Sequence, residues 1–431
     1  MIDRKQYLNK LIKKEHNGLI KVITGIRRCG KSYLLSNIFY DYLISQGVKS
    51  DHIICLALDE SKNIKYRSPL FLDEYIQNNI KDDGQYYIFL DEIQKVKAIK
   101  NPYLDDDEEK ITFVDVLLGL MKKSNIDIYV TGSNSKMLSS DILTEFRGRS
   151  DEIRVRPLSY FEFYNAYNGD KHKAWNEYVM YGGMPYVMSL GSHEEKVSYL
   201  QGLFEKVYIA DVLERRKLIN DKVVLEDLLD LISSSIGSLT NPTKIANTFK
   251  SVKHISINSK TISRYLDYFQ DAFLLNKAQR YDIKGKSYIE SPLKYYFEDV
   301  GLRNARLNFR QQEETHIMEN IIYNELCLRG YSVDVGVVEH SIKTIDGKSQ
   351  RVQQEVDFVA NKGSNRYYIQ SAFAIPDEVK REQETKVFSK ISDSFKKIVI
   401  MRENIIPWHD ENGILYIGVE QFLLDEKAIE L

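Results

Sequence analysis

In the early part of the chain, short apolar runs alternate with longer amphipathic stretches, a rhythm that predicts strands and helices in turn. Leu19-Ile20-Lys21-Val22-Ile23-Thr24 reads as a buried strand, and a helix follows over 32–45. A strand over 53–58 and a helix over 70–80 come next. Two more strands follow, Tyr86-Tyr87-Ile88-Phe89-Leu90-Asp91 and Ile126-Asp127-Ile128-Tyr129-Val130-Thr131. Such alternation predicts an α/β core built on a parallel sheet. Pro157 breaks the rhythm, and residues 158–220 read as helical and rich in aromatic side chains, with Tyr181-Gly182-Gly183-Met184-Pro185 as a turn.

Farther along, two short helices are expected over 244–249 and 260–269. Ile262, Tyr265, Leu266 and Phe269 give the second of them one buried face. Strand-like runs over 274–281 and 287–290 flank Asp282-Ile283-Lys284-Gly285-Lys286. Together these elements read as a winged helix with the Lys-Gly-Lys turn at the wing tip. A helix over 317–328 and strands over 354–359 and 367–372 complete the pattern. The domain expectation is therefore 1–156, a helical linker over 157–220, a winged-helix-like part over 221–310, and a last domain over 311–431.

The junction after the first strand carries chemistry. Gly25-Ile26-Arg27-Arg28-Cys29-Gly30-Lys31-Ser32 fits G-x-x-x-x-G-K-[ST], the phosphate-binding loop, with a strand before it and a helix after it. Backbone N–H groups of such a loop curl around phosphates, and the helix N-terminus adds partial positive charge. The expected nucleotide-binding residues are Gly25, Arg27, Arg28, Cys29, Gly30, Lys31, Ser32 and Tyr33. Lys31 is placed to reach the β- and γ-phosphates, and Ser32 to ligate Mg²⁺. Cys29 is read as a neutral filler of a variable loop position, with oxidation as the alternative. The run ending in Asp91-Glu92 supplies the complement. A parallel sheet gathers ligands at the carboxyl ends of its strands. Asp91 is expected to hold Mg²⁺ through water, and Glu92 to orient or deprotonate the attacking water. Asn134, just beyond the 126–131 strand, is a candidate for meeting the γ-phosphate or that water. Arg147 and Arg149 follow in a short turn; each reads equally well as a transition-state cation or as a surface ion-pair residue.

These motifs resemble the archaeal-type AAA+ ATPases, relatives of the STAND signalling ATPases. The resemblance lies in the Gly-x-Arg-Arg-x-Gly-Lys loop, Leu90-Asp91-Glu92-Ile93-Gln94, and Val130-Thr131-Gly132-Ser133-Asn134-Ser135-Lys136-Met137-Leu138. It continues through Phe146-Arg147-Gly148-Arg149, Pro157-Leu158-Ser159-Tyr160-Phe161-Glu162-Phe163 and Tyr181-Gly182-Gly183-Met184-Pro185. Proteins of this kind usually carry a conserved C-terminal domain of unknown function, which the rest of the chain resembles. The resemblance implies ATP and Mg²⁺ as cofactors, and in oligomeric members an arginine that serves a neighbouring copy. A homo-oligomer is accordingly a candidate state.

The last hundred residues resemble the restriction-endonuclease-like fold, in which a helix carboxylate, a strand aspartate and an E-x-K pair gather Mg²⁺. Glu319, with Glu325 on the same helix, and Asp357 match the first two features, but Gln370 and Ala372 stand where the Glu and Lys belong. Gln is a weaker ligand for a hard cation, and Ala brings no charge to a developing phosphorane. The expectation is a nuclease-like domain lacking its catalytic set and kept for binding or assembly. The alternative for Asp357 is a strand carboxylate paired with a nearby Lys or Arg. In all, the fold class expected is α/β: a P-loop core, a helical and winged-helix middle, and an α/β nuclease-like end.

Composition adds limits. The chain has 431 residues, 43% of them hydrophobic, and three scattered cysteines, which argues against a disulfide framework or a zinc site. The charged, amphipathic start predicts no signal peptide, and no apolar run approaches a bilayer span. A cytoplasmic protein with no membrane partner is the expectation. The net charge of −2 gives no global sign of nucleic acid. Between 241 and 310, however, 13 Lys and Arg face 6 Asp and Glu, so duplex DNA is a candidate partner there. The function expected is ATP binding and hydrolysis driving a switch, with DNA or an unidentified protein as its target. The alternatives are a switch that holds ATP without turnover and an ATP-gated nuclease in DNA defence.

Overall fold

A computed structural model describes residues 2–104, 109–132, 146, 148–209, 212–213, 221–310, 313–343 and 349–431. The chain divides into two units, Met1–Pro157 with Asp271–Phe273, and Leu158–Gln270 with Leu274–Leu431.

The first unit is built on β1 (Ile20–Thr24), β2 (Ile53–Ala57), β3 (Tyr86–Asp91), β6 (Ile126–Thr131) and β7 (Ser150–Arg154). Between them lie two short strands that pair with each other, β4 (Ile99–Lys100) and β5 (Lys110–Ile111). The main sheet is wholly parallel, in the order β2-β3-β6-β1-β7. Nearly every residue of β1 and β3 is buried, as expected where helices cover both faces of a parallel sheet. One face packs Val22, Leu56, Ile88 and Val130 against Leu72, Ile76, Leu117 and Leu120.

The other face is less apolar. Lys21 is fully buried and pairs with Asp127, whose carboxylate also accepts a 2.7 Å hydrogen bond from Tyr129. Removing one partner of such a pair strands a charge in the interior. Asp127→Ala is therefore expected to destabilise the protein by about 3–5 kcal/mol, whereas the double variant Lys21→Met/Asp127→Leu recovers most of that loss. Denaturant titration of both proteins checks this; a double variant no better than the single one contradicts it.

The second unit carries an eight-stranded mixed sheet. Its strands are β8 (Leu275–Asp282), β9 (Ser287–Phe297), β10 (Ser332–Lys343), β11 (Ser349–Lys362), β12 (Asn365–Ala372), β13 (Lys396–Met401), β14 (Trp408–His409) and β15 (Leu415–Gly418). They are ordered β14-β15-β13-β12-β11-β10-β8-β9. The helix Glu314–Leu328 lays Ile317, Ile321 and Leu326 on one face, against Phe358, Ile369 and Ile400. Val387, Phe388 and Ile391 cover Val356, Tyr368 and Val399 on the other.

The hairpin expected as a wing is present as β8 and β9, but it does not stand apart. β8 pairs in parallel with β10, so the hairpin and the strands beyond residue 331 form one continuous sheet. Nor does the sheet divide at residue 310. The physical reason is that Ala278 and Tyr296 on the hairpin join the same apolar cluster as Ile317 and Phe358.

Candidate functional site

The site begins where β1 ends. Gly25 has φ +137° and lies so close to the chain leaving β7 that a Cβ there would sit 2.0 Å from the Val155 carbonyl oxygen. Only glycine fits that approach. Arg28 and Gly30 also take positive φ as the loop turns back toward its helix. The chain is then α-helical over Lys31–Tyr33, π-helical over Leu34–Phe39 and α-helical again over Tyr40–Ser45. π-turns inside helices are frequent at functional sites.

The loop's side chains divide by exposure. Lys31 is only 4% exposed, and its Nζ donates to the carbonyls of Gly25 (2.9 Å) and Ile26 (3.0 Å). The ammonium thus spans the loop, where a phosphate would meet it. Ser32 and Tyr33 open to solvent on the first helical turn, as does Arg28, with Arg27 half-buried. Cys29 is fully buried and its Sγ donates to Val155 O at 3.3 Å, which suits a packing role. Arg4 was not legible as a site residue in the sequence. Its guanidinium donates to the Arg156 carbonyl at 2.6 Å and to the Cys29 carbonyl at 3.5 Å, bracing the loop from behind.

The carboxylates arrive on β3, one strand removed from β1. The strand between them, β6, ends in a fully buried Thr131. The Thr131 hydroxyl donates to Asp91 Oδ1 and accepts from the Glu92 backbone N–H at 3.1 Å. Thr131 therefore fixes both acidic residues, a role that no spacing in the sequence announced. Glu92 takes a left-handed conformation, φ 54°, which turns the chain off the strand, and its carboxylate accepts from the Gln94 amide. The parallel register aligns Ile23 with Thr131 and Leu90 with Val130, so the loop, Asp91 and Glu92 all emerge at one edge of the sheet.

Arg149 is not brought there. Its carbonyl accepts from Ile20 N, and Ser150 pairs with Ile20, so Arg149 lies at the opposite edge from its own phosphate loop. β7 has five residues at roughly 3.3 Å each, a span no arginine side chain crosses. Asn134 and Arg147 fall outside the described residues.

The donor set fits a magnesium nucleotide. A loop hydroxyl at Ser32 and a strand-end carboxylate at Asp91 are hard oxygen donors of the kind Mg²⁺ takes alongside phosphate oxygens.

The second acidic constellation has a different outcome. Glu319 and Asp357 do share a site, joined by Glu355 and by a buried Lys294 from β9. Gln370 accepts from the Asp357 backbone N–H at 3.3 Å, while Ala372 packs into the core on the other side of the sheet. Glu325 stands apart and pairs with Arg329 at 2.6 Å.

Comparisons with known proteins place a family boundary near the end of the first unit. A family model described as an AAA domain matches residues 17–164, and one described as a domain of unknown function, DUF8612, matches residues 172–313. An uncharacterized Haemophilus influenzae protein is 34% identical over 416 residues, covering 93% of each chain. The uncharacterized protein MJ1544 of Methanocaldococcus jannaschii is 29% identical, over 95% of this chain and 85% of its own. Among solved structures, the Walker-type ATPase PABY2304 of Pyrococcus abyssi matches at 15% identity and a TM-score of 0.49, over 71% of this chain and 96% of its own. With a phosphate loop, a strand-end Asp-Glu pair and an end-to-end relative in Haemophilus influenzae, the chain belongs to a family of AAA-type P-loop ATPases that carry a second domain of unknown function.

Proposed function

We propose that this chain binds ATP with Mg²⁺, hydrolyses it, and uses the cycle as a switch acting on duplex DNA. The observation that carries the reading is the joint emergence of the Lys31 loop and the Asp91–Thr131–Glu92 network at one sheet edge. Lys31 would face the phosphates, Ser32 and Asp91 would hold the metal, and Glu92 would accept a proton from the attacking water. Bound Mg²⁺ would neutralise charge on the β- and γ-phosphate oxygens. Arg149, at the far edge, lies beyond reach of its own loop and suits a second copy of the chain.

The helix Ser259–Asp271 is the proposed DNA-facing element. Asn258 caps it by accepting from Thr261 N at 2.8 Å, and Lys260 and Arg264 line its exposed face. The surface excess is smaller than the sequence count suggested. Arg280, Lys294 and Arg303 are buried, and Lys253 and Arg306 pair with Asp227 and Asp230. Lys244, Lys250, Lys260, Arg264, Lys277, Lys284, Lys286 and Arg310 remain exposed.

Phosphate release measured with and without duplex DNA tests the reading. Duplex is expected to accelerate turnover. Lys260→Glu/Arg264→Glu is expected to remove the acceleration without changing basal turnover. It should also make DNA binding less salt-dependent, the slope falling by about one for each phosphate no longer neutralised. Basal turnover with no salt-sensitive DNA binding would assign the switch to a protein partner instead.

A further inference from the structure

Three carboxylates converge on one ammonium in the second unit. Lys294 Nζ lies 2.9 Å from Glu319 Oε1, 2.7 Å from Glu355 Oε1 and 4.0 Å from Asp357 Oδ1. The ammonium is almost wholly buried, whereas Glu355 keeps about a third of its side-chain surface open to solvent. Tyr296 donates to Glu319 Oε1 at 2.6 Å, and His316 faces the other Glu319 oxygen at 3.8 Å. Ser371 N donates to Asp357 Oδ2 at 2.8 Å. These groups come from three strands and a helix: β9, β11, β12 and the helix Glu314–Leu328.

We infer that Lys294 is the permanent cation of this cluster, standing where a divalent ion would otherwise be needed and keeping one out.

Three observations support the inference. Among the described residues no three His, Cys, Asp or Glu side chains are arranged to hold a metal ion, although three carboxylates meet here. Their oxygens are held at ammonium distances, longer than the roughly 2.0–2.6 Å of Mg²⁺ or Ca²⁺ ligation, and the centre is filled by Nζ. The charge balance agrees as well. Burial alone would raise the Glu319 carboxyl, but Lys294, His316 and Tyr296 outweigh it and hold Glu319 below its ordinary value. Burial and the Glu319 charge push Asp357 up to about 8. The ammonium thus keeps Glu319 ionised, while Asp357 stays protonated near neutral pH. A divalent ion would ionise Asp357 as well. The unit then has no opening for metal-assisted hydrolysis at these residues, and its acidic cluster is a structural core that couples β9 to β11 and the helix.

The test uses the full chain without nucleotide and titrates Mn²⁺ by electron paramagnetic resonance. Lys294→Ala is expected to bind one more Mn²⁺ per chain than the parent, and Glu319→Gln in that background to abolish the gain. Lys294→Arg, which keeps the charge, is expected to gain none. Any weak binding at the phosphate loop is common to all four proteins and cancels. If Lys294→Ala folds poorly, heat unfolding in millimolar Mn²⁺ against EDTA reads the same site, and recovery by Mn²⁺ is the expected result. The inference is overturned if Lys294→Ala gains neither Mn²⁺ nor stability from it. It is equally overturned if the parent binds Mn²⁺ in a way that Asp357→Asn removes, because Lys294 would then flank a working metal site rather than fill it.

Discussion

Lys31→Ala is expected to abolish phosphate release from ATP, and Glu92→Gln to slow it by about 10²–10⁴-fold while nucleotide binding persists. The two losses have different causes. Lys31 Nζ bridges the Gly25 and Ile26 carbonyls, so removing it takes away both a cation at the phosphates and a brace across the loop. Affinity and turnover then fall together, because the cation binds the ground-state phosphates and stabilises the charge of the transition state more strongly still. Glu92→Gln changes no volume. Thr131 still receives the residue 92 backbone N–H, and Gln94 can still donate to the new side-chain oxygen. What disappears is proton acceptance, worth about 3–5 kcal/mol of barrier at this rate loss. Fluorescent-nucleotide titration beside single-turnover phosphate release separates the two. Unchanged turnover in Glu92→Gln would mean that another group activates the water.

The phosphate loop was legible because each of its residue types answers a local demand. Gly25 must admit the Val155 carbonyl, and Lys31 must reach back over the turn it starts. Periodicity likewise located β1, β2, β3 and β6, whose runs are mainly apolar apart from the buried Lys21, Thr24, Asp127 and Thr131. β7 escaped because Ser150-Asp151-Glu152-Ile153-Arg154 is an edge strand with one buried apolar residue, Ile153. The groups that organise the site were hidden for another reason. Thr131 meets Asp91 from 40 residues away, and Arg4 meets Arg156 across 152. Nothing local distinguishes such residues from ordinary ones. The basic count over 241–310 misled in the same way, since a lysine at the centre of three carboxylates adds nothing to a surface. Among the described residues no helix is long and apolar enough to cross a membrane, in line with the hydropathy pattern.

Gly301→Ala is expected to destabilise the second unit by about 3 kcal/mol or more, among the largest losses available from one methyl group. The cause is a crossing of two backbones. A Cβ on Gly301 would lie 1.9 Å from the Tyr181 carbonyl oxygen, 2.3 Å from its carbon and 2.8 Å from Gly182 N. All three are main-chain atoms, so no side chain can swing aside. The crossing is also pinned from both ends. Asp299 caps the helix Val300–Arg306 by accepting from Leu302 N at 3.0 Å, and its second oxygen accepts from Gly183 N at 2.6 Å. Asn304 donates to the Val179 and Met180 carbonyls at 2.8 and 2.9 Å. Little solvent reaches the joint, where Asp299 is 3% exposed, and this burial pushes its carboxyl up to about 6 against the pull of those backbone N–H groups. The Tyr181-Gly182-Gly183 turn is therefore a packing device: Gly182 admits Asp299 and Gly301, and Gly183 admits the Leu158 carbonyl. Gly119→Ala is the control. It sits in the helix Phe113–Leu120 with nothing within 4 Å of an added Cβ, so it is expected to leave stability unchanged or raise it by up to about 1 kcal/mol. Denaturant titration of both variants decides the matter. A Gly301→Ala protein that unfolds with the parent would mean that the two backbones part without cost, and that the glycines of the turn serve some purpose other than packing.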